Sequence, residues 1–61
     1  MTRSQLENHV TGLELQIVEL VERRERVMVQ GRIDEVAGLQ AEIEGLQHEL
    51  MAAAENLATP A

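Results

Sequence analysis

Glu19, Arg23, Arg26, Gln30 and Asp34 follow one another at steps of four, three, four and four. On a helix turning about 100° per residue they share a stripe about 80° wide. Two carboxylates, two guanidiniums and an amide along one face suit a guanine nucleotide. Arginine bridges guanine O6 and N7 or grips a phosphate bidentately, a carboxylate accepts from N1–H and the exocyclic amine, and glutamine both donates and accepts. Arg32 adds a further guanidinium nearby. All five basic residues of the 61-residue chain are arginines, and Arg23, Arg24, Arg26 and Arg32 cluster at its middle although the formal net charge is −6. The plainer reading of this cluster is ion pairing along a helix surface with Glu19, Glu22 and Glu25.

These residues need a helical carrier, and the composition supplies one. There is no cysteine, phenylalanine, tyrosine or tryptophan, so leucine, isoleucine, valine, methionine and alanine must do the packing, as in a helix-on-helix seam. A chain of this length is one small domain, residues 1–61, and buries too little apolar surface to be comfortable without a partner. No stretch resembles an export signal or a membrane span, so a cytoplasmic protein with no membrane partner is expected. The acidic balance argues against binding a nucleic-acid polymer.

Ser4 and Glu7 fit a capping box, so a helix is expected to start near Gln5. Leu6, Val10, Leu13, Ile17, Leu20, Arg24 and Val27 then step by four and three, as do Val36, Leu39, Ile43, Leu46, Leu50, Ala53 and Leu57. The register breaks between the two series. The tail at 59–61 is expected to fray, because Pro60 cannot continue a helix. Gly38, Gly45 and Ala52 form a small-residue stripe beside the second series, either a close-approach face or tolerated surface glycine.

The fold class is therefore all-α. The expected architecture is one long helix, about 80 Å for residues 5–58, paired antiparallel with a second copy. Leu6 would face Leu50, Val10 Leu46, Leu13 Ile43, Ile17 Leu39 and Leu20 Val36, which puts the symmetry centre at Met28. The alternative is a helical hairpin turning near Gly31; residues 26–30 hold no turn former, and Gly31 lies three positions past that centre.

The central pattern resembles the E(x)3S(x)2R(x)3Q(x)3D signature of the RsiG anti-sigma factors of actinobacteria. Glu19, Arg26, Gln30 and Asp34 match, and Arg23 stands where the signature has serine. The resemblance implies a homodimer that binds cyclic di-GMP between antiparallel helices and sequesters a sigma factor of the WhiG type, since one motif copy per chain needs two chains for the site. It also implies guanine recognition by Arg26 and Asp34, supporting hydrogen bonds from Gln30 and Glu19, and phosphate or stacking contacts from Arg23 and Arg32.

Val18, Val21, Val29, Ile33 and Met51 are apolar but off the seam, and are the expected surface for the protein partner. Val18 and Val21 could equally widen the seam for a four-helix assembly. The competing function is a small chaperone-like or structural helical hairpin that needs no ligand. No nucleophile–base pair is apparent, so catalysis is not expected, and Thr11 reads as a surface residue. Glu44 and His48 have a spacing that can hold a metal, but His9 makes no third ligand with them, and no metal is expected.

Overall fold

The computed structural model describes residues 2–58; the tail at 59–61 lies outside the described residues. Two helices, α1 (Arg3–Val29) and α2 (Ile33–Ala58), run antiparallel as a hairpin. Together they make a rod 48 Å long and 14 Å across. Neither helix is long and apolar enough to cross a membrane.

Helix α1 starts two residues earlier than the Ser4 box would put it. Thr2 is the N-cap: its hydroxyl accepts from the Gln5 backbone N–H at 3.1 Å, and the Gln5 side chain accepts from the Thr2 N–H at 2.9 Å. Thr2 and Gln5 satisfy the same capping pattern as Ser4 and Glu7. Glu7 instead meets Arg3 at 3.3 Å, one turn away.

The chain does not continue as one long helix; the hairpin turning at Gly31 is the arrangement found. Gly31 has φ +76°, a left-handed conformation open to glycine at little cost. Its N–H donates to the Met28 carbonyl at 3.1 Å, and the Arg32 N–H to the Val27 carbonyl at 3.0 Å. These two bonds form a Schellman motif and satisfy carbonyls that the end of α1 would otherwise leave open. The carbonyl of Arg32 then accepts from the Glu35 N–H at 3.1 Å, and Asp34 and Glu35 place negative charge on the first turn of α2, where the helix dipole favours it.

The reversal sets a different pairing from the one centred on Met28. About a centre between Gly31 and Arg32, Leu6 is level with Leu57, Val10 with Ala53, Leu13 with Leu50, Ile17 with Leu46, Leu20 with Ile43, Arg24 with Leu39 and Val27 with Val36. Every seam position now has a counterpart, and every one is buried or half-buried. The core centres on Leu13, Val27, Leu39, Ile43 and Ala53, with Ile43 only 1 % exposed. Arg24, which occupies a seam position, hydrogen-bonds across the helices to Gln40, so the one charged residue in the stripe is held at a polar partner.

Two glycine substitutions should shift stability in opposite directions. Gly31→Ala forces a Cβ into a left-handed backbone and should cost about 1–2 kcal/mol. Gly38→Ala lies inside α2 with nothing within 4 Å of the added Cβ and should stabilise by about 0.5–1 kcal/mol. Thermal melts followed by circular dichroism check both.

Candidate functional site

The turn divides the sequence stripe. Glu19, Arg23 and Arg26 remain on one face of α1 with Gln30 as its C-cap, while Asp34 has passed round the reversal onto the first turn of α2. Arg23, Arg26, Gln30 and Arg32 line one cleft of about 450 Å³ at the turn end of the hairpin, together with Val27, Glu35 and Leu39. Glu19 borders an adjoining recess of about 270 Å³ with Leu20, Glu22, Arg23 and Arg26. Asp34 lines neither. The arginines and the amide are thus brought together, Glu19 flanks them, and Asp34 stands apart.

The cleft's ionic state is uneven. Arg32 is engaged: Nη2 lies 2.6 Å from Oε1 of Glu35, and Nη1 donates to Oε1 of Gln30 at 3.3 Å. Among the described residues no ion pair or side-chain hydrogen bond holds Arg23 or Arg26, and neither meets Glu19, Glu22 or Glu25. The helix-surface pairing that the spacing allows does not form. Both guanidiniums therefore stand without protein partners beside a concave surface that the buried Val27 and Leu39 also line. That arrangement suits a planar, anionic ligand: guanidiniums supply charge, forked donors and flat faces on which a ring can stack.

Three lining residues lie outside the stripe that the sequence displays: Val27 and Leu39 are seam positions, and Glu35 belongs to neither pattern. The hairpin register brings Leu39 and Glu35 to the cleft beside Val27, and the i, i+3 relation of Arg32 to Glu35 is the local signal for Glu35.

The five off-seam apolar residues do not form one patch. Counting about 100° per residue from the buried stripe of each helix, Val21 and Met28 of α1 and Ile33 and Met51 of α2 fall on the side of the hairpin opposite the cleft. Val21 is half-buried beside the seam, whereas Ile33 and Met51 are largely exposed. Val18 and Val29 lie on the back of α1, and Val29, 89 % exposed, borders a shallow recess with Glu22, Glu25, Arg26 and Gln30. Glu44 accepts from the Gln40 amide at 3.3 Å, and no cluster of three or more metal-ligating side chains occurs among the described residues. Gly38 and Gly45 face open space.

No known family matches the chain, and neither curated proteins nor solved structures return a match.

Because Arg26 is exposed and unpaired while Arg24 is half-buried and bonded across the helices, the two should respond differently to removal. Arg26→Ala should change stability by no more than about 0.5 kcal/mol. Arg24→Ala, which leaves the Gln40 side-chain oxygen without its donor and strips packing from the seam, should cost about 1–2 kcal/mol. Urea unfolding of the two variants beside the wild type separates these outcomes.

Proposed function

We propose that the hairpin is a cyclic di-GMP-responsive anti-sigma factor acting in the cytoplasm without catalysis. The observation that carries the ligand part is the pair of unengaged guanidiniums, Arg23 and Arg26, sharing a cleft with Arg32 and Gln30 in a chain of net charge −6. A chain with eleven carboxylates has ample means to neutralise five arginines, yet these two face a cavity instead. In this reading Arg26 contacts a guanine edge, Gln30 supplies a supporting hydrogen bond, and Arg23 and Arg32 meet phosphate. Glu19 supports from the adjoining recess, and Asp34 acts from beyond the turn or toward a second chain.

A homodimer belongs to the same proposal. One hairpin presents its cleft on a single side, whereas cyclic di-GMP carries two guanines and two phosphates, so two hairpins facing each other across a pair of nucleotides, one per cleft, would engage the faces that a single cleft leaves open. The thin core supports this, since a single core of this size supplies no more than about 3–5 kcal/mol. The opposite side, with Val21, Ile33 and Met51, is left for the sigma factor of the WhiG type, and Val18 and Val29 extend that surface around α1. The acid excess complements the basic surfaces with which such a partner meets DNA.

The hairpin fold itself favours a second reading, a chaperone-like or structural module that binds its partner without a ligand. Calorimetric titration with cyclic di-GMP, with cyclic di-AMP as the specificity control, distinguishes the two. The wild type should bind close to one cyclic di-GMP per chain, and Arg26→Ala should weaken binding about tenfold or more, the worth of one bidentate guanine contact. Absence of binding both alone and with the sigma factor present would leave the ligand-free module.

A further inference from the structure

The arginine cleft holds its own anionic group. Glu35 contributes the one carboxylate among the described residues that line it. It sits against Nη2 of Arg32 while Gln30 receives Nη1. The cleft's guanidiniums are therefore not equivalent: Arg23 and Arg26 are open, and Arg32 is closed by residues on both sides of the turn.

We propose that Glu35 is an internal occluder of the cleft, holding Arg32 in the free protein and yielding it to the anionic group of a ligand. This rests on reading the cleft as a nucleotide site and extends that reading to how its affinity is set. The geometry favours exchange over a permanent bridge. The two side chains are 57 % and 47 % exposed and lie on a single turn, and exposed pairs of this kind are weak, so an incoming phosphate displaces the carboxylate at small cost.

The hairpin does not depend on the pair. Arg32 holds the reversal through its backbone, its N–H on Val27 and its carbonyl on Glu35, so its guanidinium can change partner while the turn stays closed. Once displaced, the Glu35 carboxylate still sits on the first turn of α2, where negative charge is favoured. The occluder therefore tunes anion affinity without reshaping the fold, and a ligand lacking an anionic group gains nothing from its removal.

Glu35→Gln keeps the side chain's length and removes its charge. Cyclic di-GMP and, separately, inorganic pyrophosphate are titrated into the wild type, Glu35→Gln, Arg32→Gln and the double variant, with circular dichroism confirming helicity in each. Glu35→Gln should bind both anions about two- to fivefold tighter than the wild type, and the gain should vanish in the Arg32→Gln background, as a double-mutant cycle requires of an effect routed through Arg32.

If cyclic di-GMP binds the wild type and Glu35→Gln binds it no tighter, the occluder is overturned while the nucleotide reading stands. A gain that persists without Arg32 overturns it equally. If pyrophosphate shows the gain through Arg32 but no variant binds cyclic di-GMP, the occluder stands and the nucleotide reading falls. Absence of binding for both anions in every variant overturns both.

Discussion

The N–H of Arg32 bonded to the Val27 carbonyl, and that of Gly31 to the Met28 carbonyl, reverse the chain at a single left-handed residue. The position of that reversal sets the rest. It levels each seam residue of α1 with one of α2, so that the seam closes within one molecule, and it lifts Arg32 and Glu35 against the face that carries Arg23, Arg26 and Gln30. Displaced by one residue, the reversal would rotate α2 by about 100° and turn its polar face into the seam. Gly31 lies in open space, so glycine is needed there for its backbone conformation and not for room.

The seam itself was legible. All the positions picked out by alternating steps of three and four, Arg24 included, are buried or half-buried, and among the described residues only Val21 and Gln40 join them. What the spacing leaves undecided is which seam residue faces which. The centre at Met28 and the centre between Gly31 and Arg32 differ by one heptad in pairing, and a heptad pattern slipped by a full repeat still sets apolar residues against apolar residues. Two features break the tie. The second centre leaves no seam position unmatched, and it falls on the one residue near the middle suited to a left-handed turn. The start of α1 was ambiguous for a similar reason: Thr2 with Gln5 and Ser4 with Glu7 satisfy the same capping pattern, and the pair that lengthens the helix is the one formed.

The candidate site was legible in part. Residues within α1 keep their common face, because a helix preserves the spacing that the sequence displays. Asp34 departs because the stripe was drawn through a segment that is not helical, and Glu35 and Leu39 arrive because the hairpin register, unlike helical spacing, is a long-range property. The unpaired state of Arg23 and Arg26 was equally hidden: spacing permits pairs with Glu19 and Glu22, but exposed pairs of this type contribute so little that the geometry need not favour them.

The antiparallel run of α1 and α2 places Thr2 and Ala58 at one pole of the rod and the arginine cleft at the other. A pulling force applied between those two ends would load the seam in peeling geometry, opening it a layer at a time and not shearing all layers together. The Leu6 and Leu57 layer would part first and the Val27 and Val36 layer last, with Ile43 near the middle as the firmest rung. Mechanical disturbance entering at the chain ends is therefore spent before it reaches the cleft, and the pole that carries the arginines is the last part of the hairpin to come apart.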